Sequence, residues 1–487
     1  MSTSASTIAT RLGKVRGLDD GRVKSFLGLR YAEPPTGDRR FKPPVMVSSW
    51  DGMVDATRFP NRAMQADKSS PVKNPVAGAL SEDCLFLNIV TPSTKGKRRP
   101  VLFWIHGGAF VTGSANEYDG SVLAGQGDVV VVTVNFRLGP FGFLDLSALG
   151  SDYQNSISNG ILDLILALQW VQENIEDYGG DPGNVTIFGE SSGGSLVLSL
   201  LGAPAADRLY HKAIAHSATC AFRLPTDRSE KIARRMGVDR SNYSDELLSM
   251  PAPDIVDLNL HCGVTVDGQV ITRSTFDAIR DRGNNGVPLI TGTNLREGTL
   301  YTQGEDAAQD HYPSFNKGLA TEMLLGGDPQ DYLAALAKAY PNVSPGIFHE
   351  MIWTDMFRRI CSEAAAASSL AGPGAWLYRF DLPGNLPEVS HLGATHSSEM
   401  AFTFNTFANP DTHACITYHD RDDPVVRKVA KAWSDTVIRF AKTGQPNGDE
   451  LPNWPVYETG ERNCLIINDD FRIESDPDQL HRSLWNR

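Results

Sequence analysis

The strongest constraint on the fold is a serine placed between two segments of regular structure. Residues 185–188 are β-branched or aromatic, as in a strand, and residues 194–201 form an apolar stretch typical of a helix. The five residues at 189–193 read Gly-Glu-Ser-Ser-Gly. Glycines two positions before and after Ser191 permit the sharp turn by which a strand enters a helix. This G-x-S-x-G arrangement predicts that a reactive Ser191 hydroxyl is held up into a pocket at the end of a strand.

Strand-like and helix-like segments alternate over much of the chain. Apolar runs at 101–105, 129–135, 287–292 and 376–380 predict buried strands, and residues 160–178 predict a helix. Alternating units with fully apolar strands predict an α/β fold, in which helices cover both faces of a mostly parallel sheet. Segments near 221–285 and 305–370 are predicted to be largely helical excursions over the site. We expect residues 1–487 to form a single domain.

Composition excludes several classes of partner. The net charge of −13 and the lack of a basic cluster beyond residues 95–99 argue against nucleic-acid binding. Residues 1–7 do not resemble a secretory signal, and no apolar run is long enough to span a membrane. The six cysteines are scattered without metal-ligand spacing, so we expect reduced thiols, no metal and a cytoplasmic protein without a membrane anchor.

A reactive serine requires further groups. Its hydroxyl is a weak nucleophile, so it needs a base that a carboxylate orients, and hydrogen-bond donors for the negative charge that develops on the substrate oxygen. A His-Gly-Gly run at 106–108 directly follows the predicted strand 101–105. Small residues at this position allow successive backbone amides to point into a cavity, which predicts the donor loop.

The residues alone leave the acid and the base open. Glu297 lies in a loop directly after the predicted strand 287–292, where open α/β sheets carry functional groups. His391 and His396 both follow the predicted strand 376–380. Their order along the chain permits either histidine as the base, and their spacing does not distinguish them.

Several motifs in a consistent order resemble one family. Residues 26–35 read F-L-G-L-R-Y-A-E-P-P, and further matches lie at 82–89, 135–139, 159–163, 179–182, 440–447 and 454–457. Together they are similar to the type-B carboxylesterases, which include cholinesterases and para-nitrobenzyl esterases. The resemblance covers nearly the whole chain and implies the α/β-hydrolase fold.

The resemblance also implies roles for individual residues. Ser191 matches the nucleophile, Glu297 the acid and His396 the base, so His391 becomes a neighbour of the site. The implied oxyanion-hole amides belong to Gly108, Ala109 and Ser192. The implied neighbours of the triad, each with a structural role as the alternative, are Glu190, Ser217 and Glu399. The family uses no metal or cofactor.

Three departures from the family pattern refine this picture. Ser192 replaces the usual alanine, and we expect its hydroxyl to add a polar contact at the oxyanion side. Ala63 occupies the position of the usual disulfide partner of Cys84, so Cys84 is expected to be a free thiol in a reducing compartment. Residues 64–83 contain no aromatic residue, so the cation–π site that cholinesterases use for choline is expected to be absent.

The resemblance implies a serine carboxylesterase that hydrolyses small, fairly apolar esters with water, through an acyl-enzyme on Ser191. A lipase or a specialised carbamate or amide hydrolase of the same fold is the main alternative. A non-catalytic recognition module is a distant alternative, because such relatives lack triad residues that this chain retains. Oligomeric state and the preferred acyl group stay open.

Overall fold

A sheet of 13 strands carries the fold in the computed structural model, which describes residues 4–66, 76–219, 229–239, 241–260, 262–282, 286–303, 318, 328–370, 372–409 and 417–485. The strands of these residues are β1 (Ser4–Thr10), β2 (Gly13–Asp19), β3 (Lys24–Arg30), β4 (Met53–Asp55), β5 (Arg62–Ala63), β6 (Leu80–Ser81), β7 (Phe86–Thr91), β8 (Arg99–Ile105), β9 (Val130–Val134), β10 (Gly180–Glu190), β11 (Lys212–His216), β12 (Leu289–Asn294), β13 (Ala375–Phe380), β14 (Asn463–Ile467) and β15 (Phe471–Ser475). Strands β5 and β6 pair separately as a two-stranded sheet.

The helices cover the sheet and its edge. In chain order they are α1 (Ser121–Gly127), α2 (Gly139–Phe143), α3 (Asn159–Asn174), α4 (Ser192–Gly202), α5 (Ser229–Met236), α6 (Tyr243–Ser249), α7 (Ala252–Asp257), α8 (Thr275–Arg282), α9 (Thr299–Thr302), α10 (Pro329–Ala339), α11 (Pro345–Ser369), α12 (Met400–Thr403), α13 (Pro424–Thr443) and α14 (Gln479–Trp485). Short 3-10 turns extend several of them.

The middle of the sheet is parallel, as predicted. Seven strands lie side by side in the order β9, β8, β10, β11, β12, β13 and β14, and each pair among them is parallel. Strand β7 joins this block antiparallel on one side and β15 does so on the other. All the predicted strands are present, and β10 begins already at Gly180, two residues after the end of the predicted helix at 160–178.

Strand β8 shows why the strands of this chain are apolar on both faces. Val101, Phe103 and Ile105 belong to the core on one face of the sheet. Leu102 and Trp104 belong to a second core on the opposite face. Because successive side chains of a strand point to opposite faces, a sheet covered by helices on both sides requires such uninterrupted apolar runs.

The helical excursions lie where the sequence predicted them, as far as they are described. The first contains α5 to α8, and the second contains α10 and the 25-residue helix α11. Helix α11 packs against β12, β13 and α8, and with α10 and α14 it forms a small core of its own. Residues 220–228, 304–317 and 319–327 belong to the predicted excursions and lie outside the described residues.

The carboxyl ends of five neighbouring parallel strands bring the predicted functional residues to one edge. Strand β8 ends before the His-Gly-Gly loop, β10 ends at Glu190, β11 is followed by Ser217, β12 is followed by the loop of Glu297, and β13 precedes the loop of His396. Open parallel sheets bind ligands in the crevice at this edge. Residues more than 200 positions apart in sequence therefore share one site.

A buried ion pair joins two of the segments that resemble the family. Arg137 donates to Asp163 through Nε at 2.8 Å, through Nη2 at 2.6 Å and through its backbone N–H at 3.0 Å. The two side chains are 3% and 0% exposed. The pair therefore connects the segment after β9 to helix α3, and the carboxylate receives three hydrogen bonds in place of water.

We predict that Asp163→Asn lowers the free energy of unfolding by about 3 kcal/mol, because it leaves a buried guanidinium without its counter-charge. Chemical denaturation measures the change. The exposed pair between Arg16 and Asp55, at 2.8 Å, supplies the control, and Asp55→Asn is expected to leave the midpoint nearly unchanged. Equal effects of the two variants would contradict a stabilising role for the buried pair.

Candidate active site

Ser191 occupies a strained position between β10 and α4. Its backbone has φ 57° and ψ −125°, outside the conformations that residues with a side chain usually adopt. A side-chain carbon at Gly193 would collide with the carbonyl oxygen of Ile105, and one at Gly189 would lie 2.6 Å from the Gly193 carbonyl. The turn therefore requires glycine at both positions, as predicted. The Ser191 N–H also donates to the carbonyl of His216 at 3.0 Å.

His396 and Glu297 form the closest acid–base pair of the site. Nδ1 of His396 lies 2.5 Å from Oε2 of Glu297, and the two side chains are 4% and 0% exposed. His391 is exposed in the short turn Ser390–Leu392. Of the two histidines that spacing left open, His396 is the one in contact with Glu297.

Glu190 lies on the other side of the imidazole. Its Oε1 is 3.1 Å from Nε2 of His396, near enough for an ion pair with the protonated ring but not aligned for a hydrogen bond. Ser397 Oγ donates to the same oxygen at 2.6 Å. Among the described residues, none forms a hydrogen bond with the Ser191 hydroxyl or with His396 Nε2.

The second oxygen of Glu297 is held by groups at the ends of two strands. Oε1 accepts from Ser217 Oγ at 2.6 Å and from the backbone N–H of Asn294 at 2.6 Å. Asn294 Nδ2 also donates to Oε2 of the buried Glu399 at 2.7 Å, and Tyr378 lies 3.3 Å from its other oxygen. These bonds hold in place the Glu297 carboxylate that contacts His396. Sequence reasoning missed Asn294 and Tyr378.

Burial and neighbouring charges have opposite effects on the pKa of His396. Burial disfavours a charged imidazole, but the carboxylates of Glu190 and Glu297 outweigh it and raise the pKa of His396 to about 9. Burial, with the nearby charges of Glu297 and Glu190, raises the pKa of Glu399 to about 8. The carboxylates thus favour the protonated imidazole of His396, and burial favours the protonated form of Glu399.

The donor loop follows β8 and lies beside the nucleophile. Gly108 has φ 112° and Ala109 has φ 54°. In the part of the chain that the structure describes, no group accepts a hydrogen bond from the backbone N–H of Gly108, Ala109 or Ser192. Ser192 begins α4, whose first-turn amides have no partner within the helix. These three amides are free to bind an oxyanion.

Two departures from the family pattern have different outcomes. Cys84 is a buried free thiol, as expected, and burial raises its pKa well above the usual value. The expected polar contact of the Ser192 hydroxyl is not found among the described residues. The Ser192 side chain is only 2% exposed, so it is enclosed at the first turn of α4 with no described partner in reach.

Aromatic side chains that sequence analysis did not identify form one wall beside the imidazole. The ring of Phe357 is centred 4.5 Å from that of His396, and the ring of Tyr301 is centred 5.6 Å from it. Tyr301 stacks on Trp353 at 3.9 Å. Tyr301 follows Glu297 by four residues, whereas Trp353 and Phe357 come from α11. Of these three aromatic residues, only Tyr301 could have been suspected from the sequence, because it lies near the predicted acid Glu297.

No group of three or more His, Cys, Asp or Glu side chains among the described residues has the arrangement of a metal site. None of the helices in this described part of the chain combines the length and apolar character needed to cross a membrane.

Comparison with known proteins agrees with this geometry. Over 98% of its length the chain is 35% identical to the para-nitrobenzyl esterase of Bacillus subtilis, 97% of which is covered. It is 32% identical to the human cocaine esterase, over 95% of this chain and 86% of that protein. A solved PNB esterase superimposes with TM-score 0.86 at 31% identity, and a Geobacillus stearothermophilus carboxylesterase with TM-score 0.83 at 33%; each match covers 99% of this chain and 100% of the other. The family model described as "Carboxylesterase family" matches residues 4–485, and the chain belongs to that family of α/β-hydrolase fold enzymes.

Proposed function

We propose that this carboxylesterase hydrolyses small, fairly apolar carboxylic esters through an acyl-enzyme on Ser191. The observation that carries the proposal is the 2.5 Å contact between His396 and Glu297, at the same sheet edge as the strained Ser191. The free amides of Gly108, Ala109 and Ser192 support it, since ester cleavage requires donors for an oxyanion.

In the proposed reaction, unprotonated Nε2 of His396 takes the hydroxyl proton as Ser191 Oγ attacks the ester carbonyl carbon. The carbonyl π electrons move to oxygen, which accepts hydrogen bonds from the free amides. Collapse breaks the bond to the alcohol, which leaves with the proton from His396. Water then attacks the acyl-enzyme in the same way, and the carboxylic acid departs as Ser191 regains its proton. Glu297 keeps the imidazole oriented throughout.

Two properties of the surroundings support a neutral, apolar substrate. The stacked rings of Tyr301 and Trp353 supply partly exposed apolar surface near His396. The carboxylates of Glu190 and Glu297 lie on either side of the imidazole, so they would repel a substrate that carries a negative charge. A lipase, or a specialised carbamate or amide hydrolase, would use the same catalytic groups and differ in the acyl or leaving group.

We further infer a single domain over residues 1–487 and a cytoplasmic location. One sheet connects strands from Ser4 to Ser475, which supports the single domain. The free thiol of Cys84, with alanine at the usual partner position, supports a reducing compartment. Cell fractionation tests the location. Recovery of the enzyme from the culture medium instead of the cytoplasmic fraction would contradict it.

We predict that Ser191→Ala lowers kcat for p-nitrophenyl acetate by at least about 10³-fold, because the bond to the acyl group cannot form. Steady-state kinetics measure the loss. Mass spectrometry after treatment with an organophosphate should find the adduct on Ser191 in the wild-type protein and none in the variant. Ser199→Ala, further along α4 where its hydroxyl bonds to the Ser195 carbonyl at 2.7 Å, is the control and should retain activity. Turnover near wild type in Ser191→Ala would refute the proposed reaction.

We predict that the acidic limb of the pH profile of kcat/KM lies above 6.5, the ordinary pKa of histidine, because nearby carboxylates stabilise protonated His396. Glu190→Gln removes one of these charges, favours the neutral base and should move the limb to lower pH by about 1 unit. Asp55→Asn, at the distant strand β4, should leave the limb unchanged. A limb that does not move in Glu190→Gln would contradict the electrostatic role of Glu190.

We predict that kcat/KM is at least about tenfold higher for p-nitrophenyl hexanoate than for its anionic counterpart, the p-nitrophenyl monoester of adipic acid. The reason is that the carboxylates of the site repel the anionic ester. The two esters share a leaving group and chain length. An aryl carbamate and an anilide tested beside them separate the alternatives. Comparable or faster turnover of the carbamate or the anilide would favour the specialised hydrolase.

A further inference from the structure

One buried side chain outside the triad holds the donor loop. Gln65 accepts from the Gly113 N–H at 2.9 Å through Oε1 and donates to the Gly113 carbonyl at 2.9 Å through Nε2. The same Nε2 donates to the Ala63 carbonyl at 3.0 Å. Gln65 is 8% exposed, so water does not readily replace these bonds. The side-chain amide of Gln65 thus uses both of its donor hydrogens. It bonds to both the N–H and the carbonyl of Gly113.

Gly113 lies directly against the start of the loop. Its φ is 106°, and a side-chain carbon there would collide with the Gly107 carbonyl and lie 2.6 Å from Nδ1 of His106. Gly107 in turn lies against the nucleophile, because a side-chain carbon on it would be 3.1 Å from Cβ of Ser191. Gly107 therefore lies between Gly113 and Ser191, so a shift of Gly113 would be transmitted to Ser191 through this one residue.

The loop between these two glycines is closed on itself. The Gly108 carbonyl accepts from the N–H of Val111 at 3.0 Å, the N–H of Thr112 at 2.9 Å and Oγ1 of Thr112 at 3.1 Å. These three bonds close the turn of residues 108–112 onto the Gly108 carbonyl. The bonds from Gln65 to Gly113 connect this turn to the segment of Ala63, which stands at the usual half-cystine position.

We propose that Gln65 is a positioning residue for the oxyanion hole, a role that rests on the proposed function of Ser191, Gly108 and Ala109. Its amide fixes both the position and the rotation of the Gly113 backbone, because one donor and one acceptor act on the same residue. The turn of residues 108–112 is thereby held so that its free amides face the oxygen of the tetrahedral intermediate. No substrate atom contacts Gln65 in this role.

The test compares Gln65→Ala with a matched variant. Gln172 Nε2 also donates to two carbonyls, those of Pro182 at 2.8 Å and Leu209 at 3.0 Å, away from the loop. Gln172→Ala therefore removes the same kind of bonds without touching the donor loop. We expect kcat of Gln65→Ala for p-nitrophenyl butyrate to fall by about 10- to 100-fold while KM changes less than about threefold. Gln172→Ala should retain the wild-type kcat.

Binding of an alkyl trifluoromethyl ketone provides the readout that a merely structural role would not change. The ketone adds to the serine as a hemiketal whose oxygen occupies the oxyanion hole. Its inhibition constant should rise in Gln65→Ala by the same factor as kcat/KM falls. An unchanged inhibition constant, or a kcat equal to that of Gln172→Ala, would overturn the proposal.

A second variant covers the case in which Gln65→Ala does not fold. Gln65→Met keeps the length of the side chain but removes both the donor and the acceptor for Gly113, so it should show the same selective loss of kcat. Wild-type kcat in a folded Gln65→Met protein would overturn the proposal. Ser191→Ala is measured in parallel. Full activity there would refute the proposed function itself, whereas its inactivity together with unaffected Gln65 variants would refute only the positioning role.

Discussion

The close approach of two backbones at the end of strands β8 and β10 is the constraint on which the site depends. The Ile105 carbonyl lies where any side chain at Gly193 would be, and Gly189 pairs with Ile105 in the parallel register. This contact places the start of α4 beside the loop that leaves β8. The strained Ser191 and the free amides of Gly108 and Ser192 are neighbours for this reason. The parallel sheet supplies the rigidity that holds a strained serine in place.

Electrostatics give the site its second organising feature. Glu190 and Glu297 lie on opposite sides of the His396 ring, and Glu399 is buried behind Glu297. Each of these carboxyl groups is held by hydrogen bonds from strand ends or loops, so it cannot move away without breaking them. Because His396 lies between two carboxylates, its pKa is raised. The same contacts therefore set both the proton affinity and the orientation of the imidazole.

Much of this was readable from the residues because it depends on local geometry. Alternation of apolar strands and helices predicts the layered parallel sheet, and the glycine spacing at 189–193 predicts the sharp turn at Ser191. The acid and the base were different, since Glu297 and His396 are separated in sequence by 99 positions. Family resemblance, not spacing, preferred His396 to His391. Asn294, Tyr378 and Trp353 escaped prediction because their neighbours come from other strands and helices.

The sequence by itself determined the strand–turn–helix at Ser191 and the donor loop after β8. These features follow from the steric demands of a few adjacent residues. Only the tertiary structure decided that the Ser192 hydroxyl is enclosed with no described partner, and that Gln65 bonds to Gly113 across 48 positions. The physical reason is that hydrogen bonds between distant segments depend on how strands and loops are stacked, which no local pattern encodes.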